Sequence, residues 1–366
     1  MKKSLNIFKP SFLLPIVAAL TLLIFWLLPY QSSLVERVYS RGIFAAYRVV
    51  WDHTISLLPF GVIYVVIILS LLYPISSFFK KISLKAKWWL LTKRLIMLVS
   101  VAVLMFYWLW GFNYKRQSFR DITSLVKSQP DVSYVLDEYC RATDSLVSLR
   151  IQLDVVGLDS FNVSEKQLRQ DLKRAYKAMG LPIYGNVRAR KIKPKGSLLH
   201  ISTAGVYLPF AGEGHIDAGL HPITHPFTMM HEMSHGYGWT GEDVCNFLAL
   251  MAAINSDDLQ VRYSGYFGYW RYLRSQVFQI DREDFDLFYR PVPQQILKDY
   301  QDINAYAQRY KDILPELRDL FYDSYLKSHG ISSGLINYSQ MIVLTHEWKE
   351  QHGDLLLDPI ADTQGE

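Results

Sequence analysis

Cysteine is nearly absent. Cys140 and Cys245 are the only two among 366 residues. At most one disulfide can form, so no cross-linked scaffold holds the fold. Both thiols read as small buried side chains, with a bridge open to them in an oxidising compartment. Signatures for nucleotide, phosphate or nucleic acid are also missing, as are internal repeats and low-complexity linkers. Carboxylates are missing from one stretch in particular. Lys80, Lys81, Lys85, Lys87, Lys93 and Arg94 follow one another with no acidic residue among them.

Long uncharged runs are abundant. Half the chain is hydrophobic, and residues 11–29, 56–79 and 95–111 form three such runs in the first third. Each comes near the ~20 apolar residues that a helix needs to cross a bilayer core. Tyr107, Trp108 and Trp110 give the third an interfacial aromatic belt. The first lacks a small-residue cleavage site, which favours a retained span over a signal peptide.

Basic residues orient these runs. Lys2, Lys3 and Lys9 precede the first, and the cluster at 80–94 separates the second from the third. Between the first and second, Arg37, Arg41 and Arg48 nearly balance Glu36 and Asp52. The positive-inside rule then places the N-terminus and the 80–94 loop in the cytoplasm, and everything after residue 111 outside. Twelve basic and two acidic side chains fall in the first 111 residues, a net +10; the whole chain is +5, so the remainder carries −5. The basic balance therefore belongs to membrane topology rather than to a nucleic-acid surface.

Residues 112–366 are enough to bury a core of their own. Helical periodicity runs through 132–153, 164–179, 227–235, 242–254, 260–279, 295–327 and 334–351. Ser164 with Gln167 reads as a capping box. Residues 198–208, stopped by Pro209, give the clearest strand, and 182–195 reads as a basic, irregular connection. The expected fold is mainly α: a membrane domain (1–111) with three transmembrane helices, then a mostly helical outer domain (112–366) with a small β element.

The chemistry concentrates at His231-Glu232-Met233-Ser234-His235. On a helix the two histidines stand one turn apart on one face and can reach a single metal ion. Glu232 lies beside that face as a base for water. Two neutral nitrogen ligands, a base and an open position are what a zinc hydrolase needs. Thr224 is placed to cap the helix and Pro226 suits its first turn; Gly236, Gly238 and Gly241 suit its stop. Glu242 is the best third ligand, opening the next helical run, with first-turn capping as its plainer role. Asp243 is the runner-up, and Asn246, one turn on, is placed to orient a ligand from behind.

Other residues carry weaker signals. Tyr338 and Tyr325, with His329 behind them, are candidates for stabilising a developing oxyanion. Glu213 lines a cleft or fixes a turn, with the turn favoured. His215, His221 and His225 lie close before the site and read as solvated loop histidines, with the alternative that one of them supports a ligand from behind or faces the substrate. His346-Glu347 lacks a second histidine one turn on, and His352 is on the wrong face; both read as tail surface.

Four stretches together resemble a bacterial family of three-span membrane proteins, the domain of unknown function numbered thirty-eight-ten. They are Trp110 to Arg116, Gly205 to Glu213, Pro226 to Leu250, and Tyr322 to Lys327 with Gly334 and Tyr338. The family is regarded as zinc-metallopeptidase-like. The resemblance implies a zincin-like (gluzincin-like) outer domain, one zinc ion and an inner-membrane protein with its catalytic domain in the periplasm. One departure is that Val244 and Cys245 stand where the family carries an acidic residue and alanine, which favours Glu242 as the third ligand.

The expected function is zinc-dependent hydrolysis of peptide bonds, with His231, His235 and Glu242 as ligands and Glu232 as catalytic base. The partners are a peptide substrate and the bilayer. Residues 198–208 would either bind an extended peptide at their edge or pair within the domain. Two rival classes share these residues: a membrane-anchored scaffold with a structural metal, and a non-proteolytic amidase acting on cell-wall peptides.

Overall fold

The structure, a computed structural model, describes residues 10–156, 161–280, 292–313, 315–316 and 340–357. The chain divides into two compact units.

The first unit comprises Met1–Ser118, Tyr184–Val187 and Leu208–Glu213. Its helices are α1 (Pro10–Leu27), α2 (Phe44–Asp52), α3 (Val62–Ile75) and α4 (Leu84–Leu109). Of these, α4 is long and apolar enough to cross a membrane. It starts eleven residues before the expected span, with Ser83 Oγ accepting from Ala86 N at 3.4 Å. Nothing between 84 and 109 is glycine or proline, so the helix continues through Lys85, Lys87, Lys93 and Arg94. These residues stand on helical turns and not in a loop.

The other two runs are shorter than expected. The 18 residues of α1 extend about 27 Å, and the 14 residues of α3 about 21 Å against a core of ~30 Å. Pro59 and Gly61 stop the chain from entering α3 earlier. Val35–Leu57 and α3 meet at a bend of 87°. Among the described residues, one helix meets the length and apolarity of a span, or two if that bent pair counts as one; three separate full-length spans are not seen. From α4, Arg94 caps α3: Nη1 donates to Tyr73 O at 3.0 Å and to Ser77 Oγ at 3.1 Å.

Residues 35–52, read from sequence as a loop, are helical: a π-helical stretch Val35–Ile43 runs into α2. A stripe at every fourth position is buried: Glu36, Ser40, Phe44, Arg48 and Asp52. Arg116 binds Glu36 through two bonds of 2.8 and 2.9 Å, and Arg41 adds a third at 2.9 Å. Arg48 pairs with Asp52 and donates to Gly212 O at 2.8 Å. Asp52 accepts from Asn186 N at 2.8 Å, and Trp51 Nε1 donates to Ala211 O at 3.0 Å. Gly212 sits at φ +61°, and a Cβ there would lie 2.4 Å from Trp51 Nε1, so only glycine fits.

The second unit comprises Phe119–Ile183, Arg188–Tyr207 and Gly214–Glu366. Its helices are α5 (Phe119–Thr123), α6 (Val132–Val156), α7 (Glu165–Ala178), α8 (His225–Gly236), α9 (Glu242–Ile254), α10 (Leu259–Val277), α11 (Gln294–Gln308) and α12 (Gln340–His352). At its centre is α9, buried continuously from Cys245 to Ile254 and packed by α7, α8, α10 and α12. A helix apolar all round has to be interior. Trp270 and Phe267 of α10 complete this core. Ser164 caps α7 by accepting from Gln167 N at 3.2 Å; the Gln167 side chain goes to Asp171 instead of closing the capping box.

The β element is larger than expected. Strands β1 (Ala189–Ile192), β2 (Gly205–Leu208) and β3 (Glu213–Asp217) form a sheet in the order β1-β3-β2, with β1 and β3 parallel. The segment read as an irregular connection holds β1. Of 198–208 only the last four residues are strand: Leu199–Ile201 is a 3-10 turn, and Ser202 adopts φ +55°. Glu213 opens the central strand, and its side chain is buried instead of fixing a turn. Asp217 ends that strand fully buried. Its two oxygens accept from Gly196 N, Gly219 N, Leu198 N and Leu199 N at 2.6 to 3.2 Å, which offsets its desolvation.

Candidate metal centre

The pentapeptide lies in the last two turns of α8. Pro226 occupies the first turn, as its missing N–H allows. Thr224 makes no side-chain cap; its hydroxyl donates to His221 O at 2.8 Å, closing a preceding 3-10 turn. After α8, Gly238 at φ +90° reverses the chain, and α9 begins at Glu242.

This reversal brings three groups together. The Nε2 atoms of His231 and His235 are 3.1 Å apart. Glu242 Oε2 lies 3.1 Å from the first, and Oε1 lies 3.5 Å from the second. The edge of a tetrahedron with zinc–nitrogen bonds is roughly 3.3 Å, which these distances bracket. Among the described residues, this is the one group of three side chains whose ligand atoms converge, all within 4.8 Å.

Each ring is held from behind. His231 Nδ1 faces Asn246 Oδ1 at 2.8 Å, and His235 Nδ1 faces the Trp239 carbonyl at 2.8 Å. Both partners are acceptors, so each Nδ1 carries the proton and each Nε2 presents a lone pair. Asn246 Nδ2 donates onward to Tyr272 OH at 3.0 Å. Two lone pairs and a carboxylate aimed at one point repel one another unless a cation lies between them. The donor set therefore fits a divalent ion of zinc type.

The electrostatics favour positive charge at that point. Burial opposes charge on His235, and the Cys245 sulfur with the Glu242 and Glu232 carboxylates outweighs it, raising its pKa. Desolvation opposes charge on Glu242 too, but the two imidazoles beside it outweigh that and hold its carboxyl well below the usual range. The Glu242 side chain is still 61% exposed, so the cluster opens to solvent. Burial pushes the Cys245 thiol up to about 11, and its sulfur lies 3.3 Å from His235 Nδ1.

Glu232 is 4% exposed and tightly confined. A Cβ on Gly205 of β2 would lie 2.5 Å from Glu232 Oε1, and one on Gly214 of β3 would lie 2.6 Å from Glu232 Cβ. Its Oε2 is buried with no hydrogen-bond partner among the described residues. Burial raises its pKa, against the pull of the two histidines.

The remaining expected residues fall elsewhere. Asp243 is outside the cluster, its carboxylate turned to backbone N–H groups at the start of α9. Tyr325, Tyr338 and His329 lie outside the described residues. His225 is not a solvated loop residue: it opens α8, Nε2 donates to Leu220 O at 3.1 Å, and burial lowers its pKa to about 4. His221 is also part-buried, its ring edge-on to Tyr306 at 4.7 Å. His215 is buried on β3. His352 is exposed, as a surface residue should be, with its ring stacked on Trp348 at 3.9 Å, whereas His346 is part-buried and packs against Tyr134 at 4.4 Å. Among the described residues Cys140 and Cys245 are not joined by a disulfide.

Sequence reasoning missed Tyr272, the Trp239 carbonyl and the two glycines against Glu232. A backbone carbonyl has no residue signature, and Tyr272 is one tyrosine among 24.

A family model described as "Protein of unknown function (DUF3810)" matches residues 39–345. The chain belongs to this family. The DUF3810 match spans α3, α4, the sheet, the pentapeptide, Glu242 and Asn246, and it is the family that the sequence motifs resemble. No curated protein and no solved structure matches the chain.

Proposed function

We propose that this DUF3810 protein is a membrane-anchored, zinc-dependent peptidase. The observation that carries the reading is the convergence of His231 Nε2, His235 Nε2 and the Glu242 carboxylate beside the buried, unpartnered Oε2 of Glu232. His231, His235 and Glu242 would hold the ion. Bound there, zinc supplies Lewis acidity, polarising a carbonyl oxygen and making water easier to deprotonate.

The protein's own groups do the rest. Asn246 and the Trp239 carbonyl fix the two imidazoles, so no ring has to rotate when the site fills. Glu232 takes the proton of the attacking water and passes it to the leaving amine, and its raised pKa suits both transfers. At the sheet edge, β2 offers backbone groups to an extended peptide, and Gly205 brings that strand against Glu232. Tyr338 or Tyr325 is the proposed donor to the oxyanion.

Three protein ligands and a solvent-open carboxylate favour this reading over a structural metal, which four protein ligands would enclose. A cell-wall amidase would use the same groups, so the substrate panel includes cell-wall peptides. The purified full-length protein should contain one zinc per chain. Glu232→Gln should keep the metal and lose hydrolysis by ~100-fold or more, while His231→Ala should lose both. Wild type without metal refutes the proposal.

The membrane arrangement belongs to it. We propose that α1, α3 and α4 cross the bacterial inner membrane three times, with the N-terminus cytoplasmic and residues 112–366 in the periplasm. The three apolar runs and the net +10 of the first 111 residues support this. A periplasm-active reporter fused after residue 118 should be active, and one inserted at 80–83 silent. The opposite pattern overturns it.

A further inference from the structure

We propose that the helical stretch Val35–Leu57 lies flat in the outer membrane–water interface, with its aliphatic side in the lipid. This rests on the membrane reading above and goes beyond it, since the segment is otherwise a loop between spans. Its amphipathicity is reversed relative to a helix on a water-soluble protein. The charged residues Glu36, Arg48 and Asp52 are 3%, 0% and 2% exposed. Val38 and Val50, by contrast, are 50% and 64% exposed, with Ile43, Val49, Ile55 and Leu57 beside them on the outside. A surface facing water would invert this pattern.

Two further observations name the occupant. The stretch meets α3 at 87°, and α3 packs through Tyr73 against Arg94 and Met97 of α4, the helix long and apolar enough to cross a membrane. A helix at right angles to a spanning helix lies in the plane of the bilayer. The exposed aliphatic side is also continuous in kind with the surfaces of α1, α3 and α4, where Leu23, Leu69 and Val99 are 53%, 60% and 61% exposed. Arg37 is exposed on the same stretch, placed to reach a lipid phosphate while its stem stays in the apolar layer. The partner is therefore a phospholipid surface, with acyl chains against the valines and a headgroup phosphate against Arg37.

The test uses the full chain reconstituted in phosphatidylglycerol–phosphatidylethanolamine vesicles. Cysteines introduced one at a time, Val38→Cys or Val50→Cys, in a Cys140→Ser background that keeps the fully buried Cys245, carry an environment-sensitive fluorophore. Lipids spin-labelled near the headgroup end of the acyl chain should quench both sites more than lipids labelled near the methyl end, and aqueous iodide should barely quench them. Lys177→Cys on α7 is the solvent-exposed reference, and Val99→Cys on α4 reports the spanning helix. Quenching at Val99 by the deep label, with Val38 and Val50 as open to iodide as Lys177, overturns this proposal and leaves the membrane reading standing. Protection from iodide without quenching by either lipid overturns it in favour of a second copy of the chain covering the face. No lipid quenching at Val99 overturns the membrane reading itself.

Discussion

Replacing Asn246 with alanine isolates the part of the proposed zinc site that touches no metal. In the native protein Asn246 Oδ1 accepts from His231 Nδ1 at 2.8 Å, and the His231 side chain is only 12% exposed. Removing the acceptor leaves a largely buried N–H poorly satisfied, at about 1–3 kcal/mol. It also frees the ring to rotate or to shift its proton to Nε2, the nitrogen that has to bind. Both effects weaken the loaded state, so zinc affinity should fall about 10- to 100-fold, equivalent to roughly 1.4–2.7 kcal/mol. Competition against a chromophoric chelator, with the full-length protein in detergent, reads this directly. Asn246→Asp keeps an acceptor at the same place and should bind zinc close to wild type. Tyr272→Phe removes only the hydroxyl that receives the Asn246 amide, 3.0 Å further out, and should have a smaller effect. Wild-type affinity in Asn246→Ala, or an equal loss in Tyr272→Phe, refutes the reasoning.

Gly205→Ala should retain zinc and lose hydrolysis, because its Cβ would meet the movable Oε1 of Glu232 at 2.5 Å and displace the carboxylate; metal content and turnover check this. Gly214→Ala should instead lower stability by about 1–3 kcal/mol, because its Cβ meets Glu232 Cβ at 2.6 Å and backbone at 3.1 Å, and neither can swing aside; the unfolding midpoint reads it. His225 is depressed to about 4 in the folded state, so the unfolded chain binds more protons below pH 6.5. Stability is then complete above pH 6.5 and falls by up to roughly 3 kcal/mol as pH drops through 4, and His225→Gln should flatten that slope in thermal unfolding across this window. Arg48→Met leaves Asp52 buried without its ion-pair partner and should cost about 3–5 kcal/mol; adding Asp52→Leu should restore part of this by thermal unfolding, but not the bond from Asn186 N.

The site was more legible than the scaffold around it. Two histidines at one-turn spacing announce themselves on any helix, and the glycines after His235 signal the reversal that returns Glu242. Long helices such as α6 and α10 also show in the apolar period. The strands did not. β1 reads Ala-Arg-Lys-Ile, and β3 reads Glu-Gly-His-Ile-Asp with every residue buried, so neither displays the alternation of a half-solvated strand. The stretch from residue 35 to 52 was hidden because its charges point inward, which the rule of polar-outside cannot detect. The start of α4 lies outside the apolar run because Lys85, Lys87, Lys93 and Arg94 break that run without breaking the helix, lysine being a good helix former.

Asp217 bears on how the second unit comes together. Gly196 and the aspartate that receives its N–H are 21 residues apart in the chain, and the same carboxylate gathers Leu198, Leu199 and Gly219. Unless all four amides arrive, a bare negative charge is stranded in the middle of the sheet. The 196–199 turn and the end of β3 should thus open and close as one cooperative element, exchanging their amide protons at a common rate instead of fraying one by one.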